Sequence, residues 1–360
     1  MGESKGTSRL RRVITGLGLF FAAACIMAAV GFWVFSRMTV GVDAQLAAID
    51  AAHAVPPGEN AANDWIALVR DANTPPPDPR VLPVKVQATT VSHSWRSADQ
   101  PQVAKWMQDN QAVLTALLRI ADKPRCWFSV SDVNRPGQDY SLMEIQGAIL
   151  VVRAANNDLG ENRPEAALEK LLAALRIAGQ LSSQAHLAEF VAGWEICDTV
   201  VERIIWVVAN YHVPDSWLAK FEAQINAIED SRSERFREYC RVARLHIRKY
   251  GRTGPRLVQT LIGLIPGRTH TGLFGTERTL VRLRGGRIVF ALRRYKDAKG
   301  EWPQSLSEIQ ANLPREALVD PLSKRAFVYR QSHDSFVLYS VGSNGVDDGG
   351  LGDDCRVSPQ

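Results

Sequence analysis

The first long apolar stretch of the chain runs from Val13 to Phe35 and contains no charged residue. A helix needs about 20 apolar residues to cross the hydrocarbon core of a bilayer, so the stretch predicts a transmembrane helix. Only Arg37 follows it closely, whereas several basic residues precede it, namely Lys5, Arg9, Arg11 and Arg12. This asymmetry predicts that residues 1–12 are cytoplasmic and that the rest of the chain lies outside the cytoplasm.

A cleaved signal peptide is the alternative interpretation of the same residues. The letters AAAC at 22–25 resemble a lipoprotein cleavage site. Uncharged residues continue from Ile26 to Phe35, however, which makes the stretch longer than the hydrophobic region of a signal peptide. We therefore expect a single-pass anchor in the cytoplasmic (inner) membrane and a periplasmic body.

Beyond the anchor, apolar residues recur every three or four positions, which is the period of an amphipathic helix. The pattern is clearest over 163–181, and Pro101 and Pro124 mark the start and end of another helix, capped by Ser97 or Asp99. The proline-rich segment 71–86 predicts an extended surface path. Helices are predicted within 38–60, between 99 and 124, and over 140–160, 163–181, 186–210, 214–229 and 233–250. One more helix is predicted to end near 296, and a short one is predicted to begin at 303.

The two helices around Gly160 resemble a single tetratricopeptide-type hairpin. A helix of small and apolar residues, EIQGAILVVRAANNDLG, is followed by a turn and then by RPEAALEKLLAALRIAGQL. No second copy follows at a 34-residue period. The resemblance implies an antiparallel helical domain that offers a groove, and it implies no specific activity.

Near the end, DPLSKRAFVYR and SFVLYSVG are rich in aromatic and β-branched residues and predict an antiparallel hairpin. The predicted fold is therefore mainly α, an antiparallel helical domain with a small C-terminal α+β module of a helix and a hairpin, preceded by one transmembrane helix. The predicted parts are 1–12 (cytoplasmic), 13–35 (span), 36–96 (juxtamembrane and irregular), 97–285 (helical domain) and 286–360 (C-terminal module).

Charge is concentrated in the middle of a chain whose formal net charge is +5. Between Ser231 and Lys299 basic residues far outnumber acidic ones, and four arginines fall at helical spacing, Arg237, Arg241, Arg244 and Arg248. This spacing predicts a solvated helix face, and a surface for anionic lipid or an acidic partner is the alternative. Nucleic acid is disfavoured, because the chain has no recognition motif and the predicted compartment is extracytoplasmic.

Known catalytic motifs are absent from the sequence, including nucleophile elbows, zinc-binding HExxH and phosphate-binding glycine loops. Four carboxylates lie on predicted apolar helices, but they lack the paired E-x-x-H of di-iron bundles, so they are interpreted as rim or salt-bridge residues: Glu144, Glu189, Glu195 and Glu202. The cysteines outside the anchor form no C-x-x-C pair, and either one or two disulfides or isolated thiols remain open: Cys126, Cys197, Cys240 and Cys355.

Residues 288–357 resemble the globular domain of the major pseudopilins of type II secretion. The landmarks occur in the order of that family: Gly300 and Pro303, then Asp320–Pro321, then Tyr329–Arg330, and finally LYSVGSNGVDDGG. The resemblance implies a small α+β module whose closing loop binds calcium through aspartate side chains and main-chain carbonyls.

Carried over residue by residue, the resemblance implies a calcium site at Asn344, Asp353 and Asp354, with carbonyls from Ser340 and Gly342. Asn344 stands where the family usually has an aspartate, and Asp347 and Asp348 fall in the variable part of the loop. A glycine-rich turn with several carboxylates suits a hard cation that takes six to eight oxygen ligands, and the spacing excludes an EF-hand. A mobile acidic tail is the alternative.

The chain also departs from the pseudopilins. The apolar stretch 13–35 lacks their early glutamate, and a long unrelated region separates it from the C-terminal module. We therefore expect a membrane-anchored binding or scaffold protein, without catalysis, that has a structural Ca²⁺ and a protein partner but no identified small-molecule substrate. The alternatives are an envelope enzyme with a dispersed active site and an accessory component of a secretion or pilus-like machine.

Overall fold

A computed structural model of the chain describes residues 41–71, 74–132, 138–250, 270–332 and 334–358. The predicted anchor at 13–35 lies outside these ranges. Within them, no helix combines the length and the apolar character needed to cross a membrane.

The described part of the chain is mainly helical, as predicted. Its ten α-helices are α1 Val42–Ala52, α2 Ala61–Arg70, α3 Val84–Ser92, α4 Pro101–Asp109, α5 Gln111–Ala121, α6 Gln138–Gly160, α7 Pro164–Ser182, α8 Leu187–Asn210, α9 Asp215–Tyr250 and α10 His270–Lys299. Short 3₁₀ turns cover Pro79–Val81, Leu306–Glu308, Gln310–Asn312 and Arg315–Leu318.

The clearest predicted amphipathic helix forms the centre of the molecule. α7 begins with Pro164 in its first turn, where a missing N–H costs nothing, and it buries the face that carries Leu168, Leu171 and Leu175. α6 packs on one side of it and α8 on another, and α10 packs in turn on α8. The predicted helical pair around Gly160 is thus present, and it forms part of a larger bundle.

Two predicted helix boundaries differ from the structure because side chains bond to the backbone in unexpected places. The helices predicted over 214–229 and 233–250 are one continuous helix, α9; between them the Ser231 hydroxyl donates back to the Ile228 carbonyl at 3.2 Å, and the helix continues through it. Conversely, the helix predicted between 99 and 124 breaks at Asn110, whose side-chain amide donates to the Trp106 carbonyl at 2.8 Å.

The C-terminal sheet contains the predicted hairpin and one strand more. β1 (Val328–Ser332) pairs with β2 (Ser335–Ser340), and β2 pairs with β3 (Cys355–Arg356), all antiparallel. The register sets Tyr329 opposite Leu338 and Ser340 opposite Cys355. The short helix predicted from Pro303 is a series of 3₁₀ turns, of which the first is closed by a capping box between Ser305 and Glu308.

One hydrophobic core joins the helices and the sheet. It extends from Trp65 and Leu117 through Phe290 on α10 to Trp302 and Leu338. α10 runs unbroken through residues 285 and 286, where the C-terminal module was predicted to begin. At residue 285 a Cβ atom would lie 2.5 Å from the side chain of Val357, so glycine there lets the end of the chain pack directly on the helix.

A second, smaller core fixes α1 on the last turns of α9. Leu46 and Ile49 pack with Val242 and Leu245. Asp43 at the start of α1 pairs with Lys249 at 2.5 Å, and His53, after its end, lies 3.0 Å from Glu238. The two contacts run in opposite order along the two helices, so α1 lies antiparallel to the end of α9.

Candidate metal site

Residues 341–354 form the loop between β2 and β3. Because Ser340 pairs with Cys355, the two ends of this loop are held side by side. Gly342 begins the turn with φ +65°, and a Cβ there would lie 2.5 Å from both the carbonyl and the carboxylate of Asp353. Only glycine meets both the conformational and the steric requirement at this position.

Three carboxylates meet inside the loop. One ligand oxygen from each of Asp348, Asp353 and Asp354 can be chosen so that all three lie within 4.8 Å of one another. Asp348 is exposed, Asp353 is half-buried and Asp354 is buried. Among the described residues no basic side chain forms an ion pair with any of the three, so no positive side chain offsets their mutual repulsion.

Asp354 carries the strongest indication of a missing ligand. Its side chain is 7% exposed, and its Oδ2 accepts hydrogen bonds from the backbone N–H groups of Asp348 at 3.0 Å and Gly350 at 2.8 Å. Its Oδ1 is buried and has no hydrogen-bond partner. A buried carboxylate oxygen left without a partner is costly, and a cation among the three carboxylates would remove that cost.

Asp353 is oriented by Asn344. The Asn344 backbone N–H donates to Asp353 Oδ2 at 3.2 Å, and its side-chain amide donates to Asp353 Oδ1. The amide oxygen of Asn344 accepts from the Val346 N–H at 2.6 Å and so closes a local turn.

Asp347 points away from the three carboxylates. Its side chain accepts from the Tyr339 hydroxyl at 2.7 Å and from the Gly349 N–H at 2.9 Å, and it pairs with Arg330 at 3.0 Å. These bonds, with that from Tyr339 first, hold the pKa of Asp347 below its ordinary value. Its charge is therefore already satisfied, unlike the charges of its neighbours.

Asp320 ties the loop to the rest of the sheet. It is fully buried and accepts from the Ser340 hydroxyl at 2.8 Å, from the Leu322 N–H at 3.0 Å and from Ser323. The Ser340 hydroxyl in turn accepts from the Gly342 N–H at 3.1 Å. The Asp-Pro landmark noted in the sequence thus contacts the start of the metal loop through one serine.

The five residues assigned to calcium from the sequence all lie at this loop, but they have different environments. Asp353 and Asp354 belong to the group of three carboxylates, Asn344 binds Asp353, Gly342 shapes the turn, and the side chain of Ser340 faces Asp320. Asp348 joins them although it was assigned to the variable part. The available signal was the run of glycines around it, which folds the loop back so that distant carboxylates converge.

The other polar residues considered in the sequence do not form a comparable group. Within the described ranges, Asp348, Asp353 and Asp354 are the only set of histidine, cysteine or acidic groups with metal-holding geometry. Glu195 and Glu202 are exposed, and Glu202 pairs with Arg282 at 3.3 Å, whereas Glu144 and Glu189 are buried.

The histidines and cysteines also fall outside the loop. His186 stacks on His246 with ring centroids 5.9 Å apart, and both lie against the backbone carbonyls of 129 and 130. The four cysteines beyond the predicted anchor form no disulfide with one another.

Comparisons with known proteins do not extend this description. The likeness to the pseudopilins stays a prediction from the sequence landmarks. No protein-family description, no curated protein and no solved structure matches this chain.

Proposed function

We propose that the chain is a membrane-anchored, extracytoplasmic binding or scaffold protein whose C-terminal loop is closed by a structural Ca²⁺. The observation that carries the calcium assignment is the buried, unpartnered Oδ1 of Asp354 beside two further carboxylates. Calcium suits this site better than a transition metal, since every candidate ligand is an oxygen and the described loop offers no imidazole or thiolate to it.

The calcium would have a structural rather than a catalytic role. Asp354 directly precedes β3, and Gly342 follows β2, so an ion among these residues would fasten both ends of the loop. β3 contributes Cys355 to the common core, and Val357 packs against α10. Closing the loop would therefore stabilise the attachment of the last residues to the helices.

Membrane attachment is supported by the hydropathy of 13–35 and by the position of α1. The contact between Asp43 and Lys249 sets the start of α1 beside the end of α9, and only a few residues separate that point from Phe35. An extended chain gains at most about 3.5 Å per residue, so this end of the helical body would lie close to the bilayer.

The four arginines at helical spacing lie on α9 toward the same end. Arg237, Arg241, Arg244 and Arg248 are all exposed, and within the described ranges none forms an ion pair. Such a face would be attracted to anionic headgroups, which favours an orientation with the end of α9 toward the membrane.

The calcium proposal is tested on the full chain purified in a neutral detergent. Adding Ca²⁺ should raise the melting temperature relative to chelator and should protect residues 341–358 from proteolysis. Asp354→Asn should lose both effects, whereas Asp347→Asn, a change in the same loop outside the group of three carboxylates, should retain them. An unchanged melting temperature of the wild-type protein in calcium and in chelator would remove the proposal.

The binding role is tested by pull-down from membranes. The full chain, recovered with and without calcium after crosslinking, should bring down the same protein partner in repeated preparations. Resistance of the chain to alkaline extraction would support the anchor. Recovery of no partner under either condition, together with full extraction, would contradict a membrane-anchored scaffold.

A further inference from the structure

A cleft of about 780 Å³ lies between α7, α9, the end of α1 and the segment 121–127. This volume is within the range of about 300–1,000 Å³ that is usual for small-molecule sites. The cleft shares no residue with the metal loop, so a ligand bound in it would be independent of the proposed calcium and would add to the proposed function.

Hydrogen bonds to the backbone of residues 120–127 hold the walls of the cleft in place. Asn60 donates to the Trp127 carbonyl at 3.0 Å and accepts from the Trp127 N–H at 2.9 Å, while the Ala61 N–H donates to the Arg125 carbonyl at 2.8 Å. On the other side, Gln180 donates to the carbonyls of Ile120 and Lys123. The segment that carries Arg125 is therefore fixed from two directions, as a preformed site requires.

The lining of the cleft is strongly basic. Four cationic side chains face a single carboxylate, that of Asp122: Lys123, Arg125, Arg176 and Arg235. Carboxylates outside the lining satisfy part of this charge, since Lys123 pairs with Asp64 at 3.5 Å and Arg235 with Glu238 at 3.6 Å.

Arg125 is the cation of the cleft whose charge no described residue neutralises. Its side chain is exposed, and among the described residues it forms no ion pair. Arg235 is incompletely satisfied as well, because its Nε is buried without a hydrogen-bond partner. Arg176 pairs with Asp122 at 3.1 Å, but both side chains are largely solvated, so this pair is weak and an incoming anion can compete for the guanidinium.

We propose that this cleft binds a small organic oxyanion, that is, a molecule with phosphate or carboxylate groups. Guanidinium groups are suited to this task, because their planar N–H donors match the geometry of carboxylate and phosphate. Arg125 provides the unpaired charge, and Arg176 and Arg235 provide donors on the facing helices. The ring of Trp127, stacked on His53 with centroids 4.0 Å apart, supplies an apolar wall for the body of the molecule.

The test titrates four probes into the full chain in neutral detergent at fixed ionic strength: citrate, glucose 6-phosphate, inorganic phosphate and glucose. Citrate or glucose 6-phosphate should show saturable heats in calorimetry and should raise the melting temperature, whereas glucose should do neither. Phosphate alone should bind more weakly than the organic anions, because it leaves the apolar wall uncovered. The response to citrate compared with that to glucose 6-phosphate distinguishes carboxylate from phosphate.

Variants decide whether the cleft is the site. Arg125→Ala removes an exposed side chain with no ion pair among the described residues and should therefore fold normally, yet it should weaken binding of the organic anion by about tenfold, as expected for one lost charge-assisted hydrogen bond. Arg237→Ala removes an exposed arginine of α9 outside the lining and should leave binding unchanged. Saturable binding to neither organic anion, equal binding by Arg125→Ala and wild type, or equal losses in both variants would each overturn the proposal.

Discussion

Asp50 shows how much of this fold depends on single polar side chains. Its carboxylate accepts hydrogen bonds from the Trp127 indole, the Val130 N–H and both Ser129 and Ser131, at 2.5–3.1 Å. Burial alone would raise the pKa of Asp50, but the bonds from Ser131, Ser129, Trp127 and Val130 outweigh it and lower the pKa. One residue of α1 thus fixes the segment 127–131.

Replacing Asp50 should therefore destabilise the protein. We expect Asp50→Ala to lower the free energy of unfolding by about 2 kcal/mol, the scale of hydrogen bonds to a charged group that remains partly solvated. Asp109→Ala, which removes an exposed partner of Lys105, should cost less than about 0.5 kcal/mol. Urea denaturation of the two variants beside wild type measures the difference.

The lowered pKa of Asp50 also predicts the direction of a pH dependence. The unfolded chain binds a proton at the ordinary aspartate value near 3.8, and the folded chain does so only at lower pH. The contribution of Asp50 to stability is thus fully present above that value and is lost as pH falls below it. The gap in unfolding free energy between wild type and Asp50→Ala should narrow below pH 4, and a gap that stays constant would contradict this role.

Gly342 provides a second test at the scale of one residue. Gly342→Ala places a methyl group 2.5 Å from Asp353 in a backbone conformation with positive φ, so we expect a lower melting temperature and loss of the calcium response. Gly349→Ala is the matched control, because φ is also positive there but no atom lies within 4 Å of the added Cβ. It should show only the conformational cost of about 1 kcal/mol. Equal effects of the two substitutions would show that contact with Asp353 is unimportant.

At the scale of elements, α3 depends on residues that are distant in sequence. Arg153 donates to the Gln87 carbonyl at 3.1 Å, Asn156 to those of Thr90 and Val91, and Arg203 to that of Ser92 at 2.8 Å. Burial lowers the pKa of both guanidinium groups to about 10, so they remain charged at neutral pH. Positive charge at the end of a helix is favourable, and the carbonyls of Thr90, Val91 and Ser92 are among the last four, which the helix itself leaves unpaired.

This arrangement predicts a large effect of one substitution on α8. Arg203→Met leaves the Ser92 carbonyl and the Asn156 side chain without their donor, and we expect a loss of about 3 kcal/mol in unfolding free energy. Arg241→Met, on an exposed face of α9, should change stability by less than about 0.5 kcal/mol. The urea midpoints of the two variants are compared with that of wild type. Equal midpoints of the two variants would show that the cap of α3 is not required.

The same element shows why sequence alone was insufficient. Helices with a regular apolar period, such as α7, and the β1–β2 hairpin could be predicted, because their signal is local. α3 begins in the proline-rich segment that was predicted to be extended, and it could not be predicted because its cap comes from α6 and α8. The single helix α9 was predicted as two helices, 214–229 and 233–250, for a related reason. Ile228 and Tyr239, on either side of the predicted break, are both buried, and this tertiary packing keeps the helix continuous.

The candidate metal site was likewise predictable where its signal is local and unpredictable where distant contacts decide. The glycines and aspartates of the loop are local, so the region and two of its three carboxylates were predictable. Asp347 does not belong to the group of three carboxylates, whereas Asp348 does, because Tyr339 and Arg330 approach Asp347 from the sheet and bind its carboxylate. Distant tertiary contacts of this kind leave no spacing pattern in the sequence.

At the scale of the whole molecule, much of the charge in the basic middle of the chain is neutralised from within. Arginines of α10 pair with carboxylates of α8 and α9: Arg282 with Asp198, Arg284 and Arg287 with Glu229, and Arg294 with Glu222. The exposed face of α9 and Arg125 in the cleft, by contrast, carry arginines that form no ion pair with the described residues. Positive charge is thus available to ligands at these two surfaces.

The sheet and the helices share one core, so an ion that closes the C-terminal loop would be linked to the stability of the entire described body. We propose that the chain is anchored in a membrane, that calcium stabilises its structure and that binding takes place elsewhere on it. These proposals depend most on the loop holding an ion.

Calorimetric titration of Ca²⁺ into the metal-free full chain tests this claim most directly. We predict saturable binding at one site per chain, abolished in Asp354→Asn, weakened in Asp348→Asn and retained in Asp347→Asn. Absence of saturable calcium binding to the wild-type chain, or equal binding by Asp354→Asn, would contradict it.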